Sequence, residues 1–244
     1  EKTGKAMIGF DLNDGGLMRI MMQSAGKWYF DDKGNVNLSN NDALKEAFKI
    51  YKAIADSGII KQTNGWNEWV AAFNNGDVAS VITGVWIIGS VKADQTSSGK
   101  WKVAPTPRLN IEGSVNASNL GGSSWYVLEN SKNKDLAIDF LNKLYAGDID
   151  FYQKILTDRG AVGTYLPAQS SAVYSSEDAF FSGQKVYTDF SAWIKAIPAI
   201  NYGIYASEAD AAIFTVMPDV YSGKISIEDA LKKAEEQLKN QIKK

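Results

Sequence analysis

Trp66-Asn67-Glu68-Trp69-Val70-Ala71-Ala72-Phe73-Asn74-Asn75-Gly76-Asp77-Val78-Ala79-Ser80-Val81-Ile82-Thr83-Gly84-Val85-Trp86 is the stretch that decides the fold. Trp66 to Asn74 reads as a short helix, and Asn75-Gly76 closes it, since Gly enters the left-handed conformation that ends a helix without steric cost. Val78 to Ile82 is β-branched and apolar enough to be a strand. Thr83-Gly84 then turns, leaving the large ring of Trp86 exposed to a cleft at the strand's end. A helix feeding a strand within twenty residues is the unit of an α/β protein.

Working outward, the same alternation continues. Upstream, Ser39 to Ser57 is the clearest helix: Leu44, Ala47, Phe48, Tyr51, Ile54 and Ala55 share one face at the 3.6-residue period, Ser39 or Asn40 can cap it, and Gly58 stops it. Lys27 to Leu38 reads as a hairpin around Asp32-Lys33-Gly34-Asn35. Leu17 to Ser24 reads as an apolar helix, preceded by a buried strand, Lys5 to Phe10, and a polar turn, Asp11 to Gly16. Downstream, Trp101 to Ala104 and Ser124 to Leu128 read as strands, with an Asn/Ser/Gly-rich loop or crossover over 110–123. Lys134 to Tyr145 is amphipathic, with Leu136, Ala137, Phe140, Leu141 and Leu144 on one face. A helix over Ile149–Thr157 follows, then helices filling most of 177–195 and 205–221. The last helix opens on Ser226-Ile227-Glu228-Asp229, a capping-box pattern, with Ala230, Leu231, Ala234, Leu238 and Ile242 as its inner face.

Composition excludes much. The 244 residues suffice for one large or two small domains. A formal net charge of −2, without basic clustering, argues against an electrostatic nucleic-acid surface. With no Cys and no His, thiol catalysis, Ser-His-Asp chemistry and His- or Cys-ligated metals are out. No spacing reads as a metal site and no cofactor motif is present, G-x-G-x-x-G included. No apolar run approaches the ~20 residues of a membrane span. The chain begins at Glu1 without an initiator Met, so a processed or truncated N-terminus is expected. Seven Trp and 11% aromatics give either a Trp-rich core or flat apolar ligand surfaces.

The quoted stretch resembles the family-1 extracellular solute-binding proteins of ABC sugar importers, whose best-known member is maltodextrin-binding protein. That family carries a helix ending A-x-F-x-x-G, here Ala71 to Gly76; a strand x-x-A-M, here with Ser80 at the Met position; and G-x-W, here Gly84-Val85-Trp86. Further on, Leu120-Gly121-Gly122, the run Asn130 to Ala137 with Phe140-Leu141, Gly160 to Pro167, and Gly223 to Leu231 are similar to the family's later motifs, in order. Family members are longer, and a first N-terminal lobe segment of roughly a hundred-odd residues, by the family's usual size, has no counterpart here.

The resemblance implies a type II periplasmic-binding-protein-like α/β fold of two lobes that close by a hinge, mostly the C-terminal lobe, with the first N-lobe segment missing. Residues 1–118 and 169–244 would form the C-terminal-type lobe, and 119–168 would cross to the N-terminal one. It implies a mono- or oligosaccharide ligand, delivery to ABC permease subunits, no catalysis, and a bacterial extracellular location, as a cell-surface lipoprotein or in the periplasm. It leaves room for a lipid anchor on the missing N-terminal part.

A sugar's C–H face stacks on aromatic rings, while its hydroxyls need matched polar groups, because a desolvated unmatched one costs about 1–3 kcal/mol. By the resemblance Trp86 is the stacking Trp and Trp66 a second ligand aromatic, Trp69 being left out of the set. Asp11, Asn13 and Asp14 stand at the carboxyl end of the first strand, where α/β crevices lie, or else form a turn cluster. Gly121 and Gly122 permit close backbone approach, with Ser123 and Ser124 as donors. Tyr202 and Tyr205 complete the set. The competing readings are a carboxylate-dependent glycoside hydrolase, for which no carboxylate pair can be picked out, and a rigid lectin-like sugar-binding module.

Overall fold

The computed structural model describes residues 4–12 and 14–242. The chain divides into two units: Glu1–Thr83, Pro105–Leu120 and Ala196–Lys244 form the first, and Gly84–Ala104 with Gly121–Lys195 the second. Each draws on separated stretches of the chain. The boundaries differ from those expected, since 84–104 and 169–195 fall with 121–168.

The first unit is built on a parallel three-stranded sheet of order β2-β1-β3, from β1 (Ala6–Phe10), β2 (Ile60–Gln62) and β3 (Val78–Ser80). Ile8 pairs with Ile60 on one side and Ser80 on the other. β2 went unread because Ile60-Lys61-Gln62 is too short and polar to show a period. The helices α1 (Gly16–Ser24), α2 (Asp42–Asp56) and α3 (Gly65–Asn74) connect these strands. Parallel strands need such crossovers.

Helix α2 buries Leu44, Ala47, Phe48 and Tyr51, the face its period predicted. Its cap is Asn41, neither Ser39 nor Asn40: Asn41 Oδ1 accepts from Leu44 N at 3.1 Å. Ser39 is occupied elsewhere, its N–H and hydroxyl both donating to Glu235 Oε2. The hairpin over 27–38 survives as one antiparallel bridge, Phe30 with Val36.

The second unit contains α4 (Ile88–Val91), α5 (Lys134–Tyr145), α6 (Ile149–Arg159), α7 (Ala172–Ser175) and α8 (Val186–Ile194). Its buried side chains include Ile88, Tyr152, Leu156, Phe180, Phe181, Val186 and Tyr187. Neither Trp101–Ala104 nor Ser124–Leu128 is a strand: each has the β composition but no neighbouring strand to pair with. Trp125, Tyr126 and Leu128 are exposed, and α5 buries none of its residues, leaving Leu136 and Phe140 open.

The chain returns to the first unit through α9 (Ala206–Tyr221) and α10 (Ile227–Ile242), whose buried faces complete the core around Phe48, Met18 and Met22. Half of the α10 capping box is formed, since Asp229 N donates to Ser226 Oγ at 3.0 Å, while Asp229 Oδ2 accepts from the Ser226 hydroxyl at 2.8 Å in place of its backbone N–H. No helix among the described residues is long and apolar enough to cross a membrane.

Candidate functional site

Three of the four aromatics singled out in the sequence are open, a departure from what burial drives large rings to do. Trp66 is 50% exposed, Tyr202 42% and Trp86 40%.

Trp66 lies in the first turn of α3, on the first unit. It rests edge-on against Trp69 at 5.5 Å, and Trp69 in turn against buried Phe73 at 5.6 Å. Gly9 makes room for this ladder, since a Cβ there would come within 3.1 Å of Trp69 Cδ1. Trp69 thus anchors the ladder and Trp66 is its open end.

Beside it, at the carboxyl end of β1, Asp11 and Asp14 organise backbone. Gly65 N donates to Asp11 Oδ2 at 3.1 Å, which ties α3 to the sheet. Gly16 N donates to Asp14 Oδ1 at 3.0 Å, capping α1. The buried Tyr51 hydroxyl donates to the Asp14 carbonyl. Burial, followed by the charges of Asp14 and Asp11, raises the Tyr51 hydroxyl well above its ordinary value, so it stays a donor. Deeper still, Tyr29 donates to Asp210 Oδ1 at 2.6 Å, and burial raises that phenol too. The Asp14 carboxylate therefore does form a turn, whereas that of Asp11 joins α3 to the sheet. Asn13 lies outside the described residues.

Tyr202, in the irregular stretch before α9, packs edge-on to Trp28 at 5.0 Å. Its hydroxyl donates to Gln23 Oε1 at 2.8 Å and accepts from Asn119 Nδ2 at 3.2 Å. Tyr205 precedes α9 and packs against the core instead.

On the second unit, Trp86 sits in a single 3₁₀ turn, Val85–Ile87, with Ile87 and Ile88 buried behind it. Its indole folds back over Gly84, where a Cβ would lie 2.2 Å from Nε1. Gly121 and Gly122 have φ of +80° and +120° with nothing within 4 Å of an added Cβ. They bend the chain, and the space that a Cβ would fill beside each is open. Ser123 and Ser124 beside them are exposed. The structure thus gathers Asp11, Asp14 and Trp66 at one strand end of the first unit, with Tyr202 on the same unit, and puts Trp86, Gly121, Gly122, Ser123 and Ser124 on the second. Among the described residues, no group of three or more Asp, Glu, His or Cys is placed to hold a metal ion.

Sequence reasoning missed Gln23, Asn119 and Trp28, the side chains that fix Tyr202. The available signal was Gln23 itself, a lone amide on the apolar run Ile20-Met21-Met22-Gln23.

With this geometry in place, comparison with known proteins is informative. Residues 1–181 match the family model described as bacterial extracellular solute-binding protein. The chain is 50% identical over 241 residues to a lactose-binding protein of Rhizobium radiobacter, covering 99% of the chain and 57% of that protein. It is 26% identical to an arabinooligosaccharide-binding protein of Halalkalibacterium halodurans, covering 98% of the chain and 55% of that protein. Among solved structures, the sugar-binding protein MalE from Xanthomonas citri superposes with a TM-score of 0.77 at 17% identity, over 98% of this chain and 59% of that one. That likeness bears out the periplasmic-binding-protein-like α/β fold. The chain spans a little over half the length of the relatives it matches.

Proposed function

The chain belongs to the bacterial extracellular solute-binding protein family, and from that premise we propose that the protein captures a short oligosaccharide, of the lactose class, outside the cell. The observation that carries this reading is the 50% identity, along nearly the whole chain, to a lactose-binding protein. Open indole and phenol rings on each unit, beside exposed serines and strand-end carboxylates, are the chemistry that a pyranose needs. Trp86, Trp66 and Tyr202 would stack on sugar faces. Asp11, Asn13, Asp14, Ser123 and Ser124 would meet sugar hydroxyls, and Gly121 and Gly122 would present backbone amides. Tyr205 would support the Tyr202 loop from the core side.

On this reading the protein does no covalent chemistry. Its partners are the sugar and the permease subunits of an ABC importer, and it works as a lipoprotein or in the periplasm. The test is isothermal calorimetry with lactose, maltose and an arabinooligosaccharide, on the protein at the length of its relatives, with chromatography of the sugar afterwards. Saturable lactose binding with the disaccharide recovered intact is the expected result. Hydrolysis to monosaccharides would replace this reading with the glycosidase one. Binding without any ligand-induced compaction in small-angle scattering would favour the rigid lectin-like module.

A further inference from the structure

Gln23 is a buried amide, 4% exposed, on a helix whose other buried side chains are mostly methionine and isoleucine. Taking an amide out of water costs free energy unless its donors and acceptor are matched. Its two ends go to the same loop. Oε1 accepts the Tyr202 hydroxyl at 2.8 Å, and Nε2 donates to the Pro198 carbonyl at 3.4 Å. From the other side, the exposed Asn119 donates to the same hydroxyl at 3.2 Å. The strand of chain carrying Asn119 is itself pinned to α1: Val115 N donates to Ser24 O at 2.9 Å, and Ser118 Oγ donates to Ile20 O at 2.8 Å. The ring then leans edge-on against buried Trp28. One residue further, Gly203, at φ +69°, lies so close over Phe30 that a Cβ there would approach its ring to 2.7 Å.

Loops with this little regular structure ordinarily leave an exposed tyrosine free to swing. Here the ring's far end is held twice and its edge once, while 42% of the residue stays open. We propose that Gln23 and Asn119 are positioning residues that hold Tyr202 as a preorganised stacking platform for one pyranose ring of the ligand. Fixing the ring beforehand removes the cost of ordering it on binding, so the clamp sets affinity without touching sugar. The inference rests on the sugar-binding reading, and it makes Tyr202 act through its hydroxyl as well as its face.

The experiment is a set of double-mutant cycles, read by lactose calorimetry and by hydrogen exchange of residues 198–205 in the absence of sugar. Tyr202→Ala removes the platform and should weaken lactose binding by about 5- to 150-fold, the range of stacking on an aromatic. Tyr202→Phe keeps the ring and loses its anchor, for a loss of about 3- to 10-fold. Gln23→Met and the surface change Asn119→Ala should each give part of that loss, and each should speed exchange at 198–205. On the Tyr202→Phe background the Asn119→Ala change should cost less than it does alone, because the bond it removes from the phenol is already gone. Gln23→Glu, which keeps the acceptor for the phenol, should recover most of the affinity that Gln23→Met loses.

A merely structural role would show additive losses, with no rescue by Glu, and would overturn the proposal. So would wild-type affinity in all the Tyr202 variants. If the unmutated protein binds no sugar while exchange at 198–205 still responds to Gln23→Met, the sugar-binding reading fails and the platform falls with it, although the clamp itself is real. If sugar binds and neither readout moves, only the clamp fails.

Discussion

At the residue scale, Gly84 offers a test of Trp86 that leaves the backbone alone. Its φ of −72° suits any residue, so alanine there adds no strain of its own. The added methyl would sit 2.2 Å from the indole Nε1, so the ring has to swing away. If Trp86 stacks on sugar, Gly84→Ala should weaken lactose binding while the melting temperature stays within a degree or two. Trp86→Ala should weaken it by about 1–3 kcal/mol, by analogy with bases on aromatic rings, again with little loss of fold since the ring is 40% exposed. Unchanged affinity with a large fall in melting temperature would make Trp86 a packing residue. Sequence gave access to this ring because a Gly and a Trp flank a strand end. It gave no access to the clamp on Tyr202, whose bonded side chains lie 83 and 179 residues apart in the chain. Hydrogen bonds between such distant positions leave no local period. Asp11 and Asp14 were legible as strand-end carboxylates, but whether such a group serves a ligand or a turn is decided by the N–H groups that fold around it.

At the scale of elements, the most telling join is between α10 and the start of α2. Glu235 Oε2 accepts from Leu38 N at 3.0 Å, Ser39 N at 2.8 Å and Ser39 Oγ at 2.8 Å, and Lys239 lies one turn along on the other oxygen. Burial of the side chain, 13% exposed, pushes its pKa up. The bonds from Lys239, Ser39 and Leu38 together outweigh this and bring it down to about 2. A carboxylate whose folded value is depressed adds stability that is fully present above its unfolded value, about 4.3 for Glu. That stability is lost as pH falls from there through about 2. Glu235→Gln should therefore cost about 1.5–3 kcal/mol at neutral pH, the range for hydrogen bonds to a charged group. Its stability curve should also flatten between pH 5 and pH 2, on the order of the interval between the two values. Parallel acid titrations of both proteins by circular dichroism would show this, and an equal slope in the two would refute it. The helices of this join were readable because α2 and α10 each repeat an apolar face over four turns. The capping residue was misread by one or two positions because Ser39, Asn40 and Asn41 are all competent caps, and only the distant Glu235 decides which is spent elsewhere. The strand expected over 124–128 failed for a similar reason: β composition states a preference, and a strand exists only beside another strand.

For the whole molecule, the two units differ in how well they cover themselves. The first encloses a continuous core from Ile8 to Leu238. The second leaves Trp125, Tyr126, Leu128, Leu136 and Phe140 more than half exposed, on the stretch after Gly122 and on α5. Leu136 and Phe140 share one apolar stripe of α5 with Leu141 and Leu144. Apolar patches beyond a few hundred Å² are uncommon on soluble monomers, and each Å² removed from water is worth about 25 cal/mol. The chain on its own should thus self-associate with rising concentration, as read by sedimentation or light scattering. Leu136→Lys with Phe140→Lys should abolish that association, and because neither side chain is buried the melting temperature should barely move. Amide exchange should be fastest along 121–128 and α5, where few backbone groups are shielded, and slow in α9 and α10. A chain that stays monomeric at millimolar concentration, with α5 as protected as α9, would show that the open face is not the source of association.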